Sequence, residues 1–205
     1  LRSNGALRLS RLTISGALAP DVAGSAVIRS AQGAAQFELI VEDSAFQDLT
    51  VNRGFSVFAA GAGSLADRIR LERVTASHVT GSVISAHTET ADLGTYNVEV
   101  VEILDSRFRD VTGPALDLYR GGTDESTFGP RLTMTGSTFE DSGKADGAIK
   151  LYGVPRTEAR GNRFIDSGAP TFFRRAGDPV LAWSENTFEN TPVLVTNVAP
   201  VEVVR

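Results

Sequence analysis

Seven copies of one short pattern run along this chain. With Phe108 as the reference, equivalent positions are Ile14, Phe46, Ala76, Phe108, Phe139, Phe164 and Phe188, at intervals of 32, 30, 32, 31, 25 and 24 residues. Five residues before each stands Leu9, Val41, Leu71, Ile103, Met134, Ala159 and Trp183. Seven before stands Leu7, Leu39, Ile69, Val101, Leu132, Thr157 and Leu181. Two before stands Leu12, Ser44, Val74, Ser106, Ser137, Asn162 and Asn186. Columns that persist through every copy identify a repeat architecture, not an isolated motif.

Apolar and polar residues alternate within each copy, which is the period of a strand. Gly, Asp and Asn fall between the apolar runs, as turns require. No copy has room for an amphipathic helix of about 12 residues. A unit as short as 24 residues, made of two or three short strands and turns, matches one coil of a parallel β-helix. Each strand then pairs with its equivalent in the next coil, about 4.8 Å away. The expected fold is all-β: a right-handed parallel β-helix (a β-solenoid) of about seven coils, forming a single domain over residues 1–205. The Phe column and the Leu/Val/Ile column form its core. The Ser/Asn column forms an inward polar ladder at a turn. Asp48, His78, Asp110, Asp141, Asp166 and Asn190 form a further column, so His78 reads as a turn residue.

The longer copies carry insertions at Ala17–Gly24, Gly61–Ala66, Thr88–Thr95 and Gly121–Pro130, which in solenoids map to loops, often on a binding face.

The second strand of each coil aligns as Ser82–Thr88, Gly113–Arg120, Asp146–Gly153 and Ala169–Gly177. Turning Leu116 and Leu118 inward turns Asp117 and Tyr119 outward. Equivalents of Tyr119 are then His87, Tyr152 and Arg175; equivalents of Asp117 are Ser85, Lys150 and Phe173. His87, Tyr119, Arg120, Lys150, Tyr152 and Arg175 are the candidate substrate-binding residues. Aromatic faces stack on pyranose rings, and Arg or Lys pairs with uronate carboxylates. The same residues also read as an ordinary surface, with Asp117 and Lys150 as a weak exposed pair. A slip of one residue would exchange the two faces.

Other chemistry is narrowed by what the sequence holds. A net charge of -5 argues against a nucleic-acid surface. No run approaches the 18 or so apolar residues of a membrane span. The absence of cysteine excludes disulfides and thiolate metal sites without choosing a compartment. GGTDESTFGP does not follow a strand and open a helix, so it is no phosphate cradle. His78 and His87 are isolated and lack zinc spacing. Asp124 and Glu125 either bind a cation or fix their own loop through side-chain to backbone bonds. A glycosidase needs two facing carboxylates, and Asp117, Asp124, Glu125 and Glu89 leave that open. A uronate lyase needs the sugar carboxylate neutralised, commonly by calcium, and a base for the adjacent proton. The only lysines are Lys144 and Lys150, and no set of acids stands beside Lys150 to hold a metal. A self-sufficient lyase or hydrolase using Lys150 or the Asp124–Glu125 loop, and a stand-alone uronate-polysaccharide-binding module, both stay open on the residues alone.

The segments APDVAGSAVIRS, FELIVEDSAFQDLTVN, LYRGGTDESTFGP and LYGVPRTEARGNRF resemble the C-terminal β-helix domain of two-domain alginate lyases, polysaccharide lyase family six, the chondroitinase B-like group. The likeness spans about Leu7 to Phe188, and LYRGGTDESTFGP is its most specific part. It implies a parent enzyme that depolymerises alginate by β-elimination, with calcium, a Lys base and an Arg acid on an N-terminal catalytic β-helix domain of the same polypeptide; no segment here matches that domain's acidic calcium-binding segment, so no catalytic residue, metal ligand or cofactor is carried over to this chain. This chain would support the substrate cleft, dock that domain or support a homodimer. The acidic polysaccharide is the implied partner, with neither nucleic acid nor membrane. The chain has no initiator Met and enters its repeat within ten residues. It therefore reads as a piece of a longer bacterial protein, secreted or periplasmic, with its export signal upstream.

Overall fold

The structure, a computed structural model, describes residues 1–16, 26–50, 55–90, 93–123 and 128–200. Among these residues, three parallel sheets of seven strands each wrap one core. The first sheet runs from Ala6–Ser10 to Val180–Ser184, the second from Thr13–Ser15 to Thr187–Glu189 and the third from Ala26–Arg29 to Val195–Thr196. Consecutive strands of one sheet lie one coil apart in sequence, the order of a parallel β-helix.

The register follows the repeat. In the second sheet Ile14 pairs with Phe46, Phe46 with Ala76, Ala76 with Phe108, Phe108 with Phe139, Phe139 with Phe164 and Phe164 with Phe188. In the first sheet the Leu9–Trp183 and Leu7–Leu181 columns are equally continuous. Phe46, Phe108, Phe139 and Phe164 are buried in the core. The Phe139 ring lies 5.2 Å from that of Phe108 and 4.9 Å from that of Phe164.

The polar column is an inward hydrogen-bonded ladder. The backbone N–H of Val74 donates to Ser106 Oγ (3.1 Å), that of Ser106 to Ser137 Oγ (3.1 Å), that of Ser137 to Asn162 Oδ1 (3.0 Å) and that of Asn162 to Asn186 Oδ1 (2.9 Å). Ser106 and Ser137 in turn donate to the carbonyls of Leu104 and Thr135. Buried backbone groups at the corner between two sheets thus keep partners where the strand ladder is interrupted. The Asp/His/Asn column occupies the next corner: Asp48, His78, Asp110, Asp141, Asp166 and Asn190 all have φ between 46° and 59°. Asp and Asn tolerate this left-handed region better than most residues.

Two expectations are corrected. The extra length of the early coils lies partly in strands: Ala35–Glu42 and Leu65–Glu72 have eight residues, where the later Arg131–Thr135 and Arg156–Arg160 have five. The insertion placed at Gly61–Ala66 is a turn only as far as Ser64. The insertion at Ala17–Gly24 falls outside the described residues, as does the Asp124–Glu125 pair. The described parts of Thr88–Thr95 and Gly121–Pro130 lie outside strands.

Candidate functional site

On the third sheet Leu116 and Leu118 point into the core and Asp117 points out, as the alternation requires. Asp117 pairs in register with Ser85 and Lys150, and Tyr119 with Tyr152. The next coil departs from the expected alignment. Lys150 pairs with Thr171 and Tyr152 with Phe173, so Phe173 and Arg175 are not the register equivalents of Asp117 and Tyr119. The reason is a shorter turn. Twelve positions separate Phe139 from Leu151 but only eight separate Phe164 from Phe172.

Four of the six candidate residues still meet in one stack. The rings of His87 and Tyr119 lie 4.6 Å apart and 8° from parallel; those of Tyr119 and Tyr152 lie 5.3 Å apart and 4° from parallel. Arg175 reaches back to complete the stack. Its guanidinium carbon is 5.7 Å from the Tyr152 centroid, and Nη1 donates to the Tyr152 hydroxyl (2.9 Å). His87 Nδ1 donates to Asp117 Oδ1 (2.8 Å), and the Tyr119 hydroxyl donates to Thr90 O (3.2 Å).

This geometry changes what the column offers. Both faces of the Tyr119 and Tyr152 rings and one face of His87 are covered by their neighbours in the stack, so the two tyrosines offer edges rather than open faces. Tyr119, expected outward, is on the outer side but only 9 % exposed. The expected Asp117–Lys150 pair is replaced by Asp117–His87. Arg120 is buried rather than displayed: it forms an antiparallel bridge with Tyr96, and its neighbour Gly121 donates its N–H to Thr95 O (2.9 Å). The Tyr96 hydroxyl donates to Glu99 (2.7 Å), and burial together with that carboxylate pushes its pKa up.

Beside this stack lies a cavity of about 280 Å³ between the third and first sheets, lined by Arg120, Arg131, Arg156, Gly153 and the segment from Ala176 to Val180. Arg131 and Arg156 are register partners on adjacent strands. Gly153 has φ 71°, and a Cβ there would stand 2.5 Å from Arg120 O, so the cavity floor requires glycine. Sequence reasoning missed this arrangement. Its signal is a repeated dipeptide, Pro130–Arg131 and Pro155–Arg156, 25 residues apart. Among the described residues no group of three or more His, Asp or Glu is placed to hold a metal ion.

No known family profile and no curated protein matches this sequence. Solved structures do. The chain aligns over 97 % of its length with the structure of PL6 family alginate lyase AlyGC, at 31 % identity and a TM-score of 0.84. A point mutant of that enzyme aligns over 99 %, at 31 % identity and a TM-score of 0.88. The match is to a PL6 alginate lyase. The resemblance read from LYRGGTDESTFGP therefore extends to the whole fold: this chain has the β-helix domain structure found in that lyase. It spans 30 % of the lyase chain in each alignment.

Proposed function

We propose that this chain is the C-terminal β-helix domain of a secreted bacterial alginate lyase and that it supports catalysis without performing it. The observation that carries the reading is the alignment of nearly the whole chain with under a third of a PL6 alginate lyase. The parent enzyme would cleave alginate by β-elimination on an N-terminal β-helix domain, where a base would remove the proton beside a uronate carboxylate whose charge bound calcium would neutralise.

The residues here fit a supporting role. Lys150, the only lysine on the candidate face, stands beside Asp117, and that carboxylate is engaged by His87. The His87–Tyr119–Tyr152–Arg175 stack braces successive coils on their outer side and so stiffens a wall of the substrate cleft. The test is to incubate residues 1–205 with alginate and calcium and follow the ultraviolet absorbance of unsaturated products. No product is expected. Sustained turnover that survives purification to homogeneity would show that the chemistry lies within this chain.

A further inference from the structure

We infer that the arginine-lined cavity beside Gly153 is a binding site for the carboxylate of an acidic sugar. The ligand class rests on the lyase reading above; the anion preference rests on the cavity itself.

Three arginines from successive coils, Arg120, Arg131 and Arg156, line one cavity, Arg120 buried in its wall and Arg131 and Arg156 exposed. Among the described residues its lining holds one acid, Asp178, which is drawn outward to Arg174 (3.4 Å). Arg156 is held by Glu158 (Nη2 to Oε1, 2.5 Å), which fixes its fork without filling the cavity. Arg131 makes no ion pair among the described residues. Like charges at directly paired strand positions destabilise a sheet, and Arg131 and Arg156 are such a pair. A bound anion removes that repulsion. A guanidinium fork matches a carboxylate in two parallel hydrogen bonds.

Size narrows the ligand. The volume of about 280 Å³ lies at the lower end of ligand pockets, room for one sugar ring and not a buried oligomer. Arg175, on the neighbouring stack, lies next to the cavity floor: a Cβ on Gly153 would stand 3.1 Å from Arg175 Cβ. A chain end or a single uronate of a longer chain thus seats in the cavity while its neighbours lie along the outer side of the third sheet.

Calorimetry on the 205-residue chain at low salt tests this, with a mannuronate trisaccharide, its neutral methyl ester and inorganic phosphate as probes. The trisaccharide should bind saturably at one site and weaken at high salt. Arg131→Gln should weaken it about tenfold, the loss of one charge-assisted contact. Arg131 is exposed and faces the like charge of Arg156, so the variant should keep or slightly raise its unfolding midpoint; Arg163→Gln, on the second sheet, should bind as the parent does. Amide shifts on titration should centre on Gly153 and Gly177. Equal binding of the ester, phosphate as tight as the trisaccharide, an unchanged affinity for Arg131→Gln, or shifts centred on His87 and Tyr119 would each overturn the assignment. Turnover by the chain alone would sink the supporting role without touching this measurement.

Discussion

Arg175 caps the Tyr152 ring and hydrogen-bonds its hydroxyl, although the two residues are not register partners. The stack therefore continues into the next coil without following the strand register. A column of rings on the outside of a β-helix does the same work as the Phe column inside: its middle members, Tyr119 and Tyr152, are desolvated by neighbours above and below.

Tyr119, in the middle of that stack, should behave as a core residue. Tyr119→Ala removes a nearly buried ring with partners on both faces and should destabilise the chain by about 3 kcal/mol, in the range of large aromatic truncations. Tyr119→Phe loses only the bond to Thr90 O and should cost about 1 kcal/mol. Urea unfolding of the two variants measures both. If Tyr119→Ala left the midpoint unchanged, the stack would be a surface ornament and not a brace.

Phe139 makes the corresponding prediction inside. Its ring is fully buried between those of Phe108 and Phe164. Phe139→Ala should cost about 3–5 kcal/mol, whereas Phe188→Ala, on the last rung and half-buried, should cost about half as much. Because each coil touches only its neighbours, the Phe188 change should also loosen amide exchange locally while Phe139 loosens both flanks. Exchange rates raised uniformly along the chain by Phe188→Ala would contradict this.

The contrast between these two columns shows what was legible in the sequence. Phe46, Phe108, Phe139 and Phe164 stand out although their spacing drops from 31 to 25 residues, because each keeps the same offsets to the apolar residues five and seven places before it and the same register in every coil. His87, Tyr119, Tyr152 and Arg175 share one stack, but the turn before Phe172 is shorter than the equivalent turn before Leu151. Sequence alignment of that last copy slipped while the side chains still met in space. Ring faces hidden by neighbouring rings are likewise invisible to an in/out alternation, which has no term for the next coil. The cavity was missed for a third reason: Arg131 and Arg156 lie on the first sheet and Arg120 at the end of a third-sheet strand, and only closure of the coil joins them.

Acid should weaken the outer face of the first sheet. The guanidinium of Arg70, and then that of Arg73, hold the Glu72 carboxyl below its usual range, and Arg73 does the same for Asp43. A carboxylate whose folded pKa is depressed contributes stability above its unfolded value, near 4.3 for Glu and 3.9 for Asp. That contribution is lost as the pH falls through the lower folded values. The urea midpoint should therefore decline from about pH 5 downward, and less steeply in Glu72→Gln than in the parent. Parallel declines in the two proteins would place the acid sensitivity elsewhere.

Asn162 is the sharpest test of the ladder at the first corner. It is fully buried, accepts the Ser137 N–H at Oδ1 and donates through Nδ2 to Met134 O (3.0 Å) and Asn186 Oδ1 (2.9 Å). Asn162→Ala leaves a buried donor and a buried acceptor without partners, at about 1–3 kcal/mol for each. Asn162→Ser should recover part of that loss, because Ser137, Ser106 and Ser44 fill the same position in other coils. Asn162→Asp keeps the acceptor toward Ser137 but sets a carboxylate against two oxygen acceptors. Burial and those oxygens raise the pKa of the new carboxyl, so its neutral form is favoured in the fold. Stability of Asn162→Asp should accordingly increase as the pH is lowered from 7 to about 5, opposite to the acid trend set by Glu72. Unfolding midpoints across that interval decide the matter, and a variant whose midpoint falls with the parent's would mean that this corner is open to water.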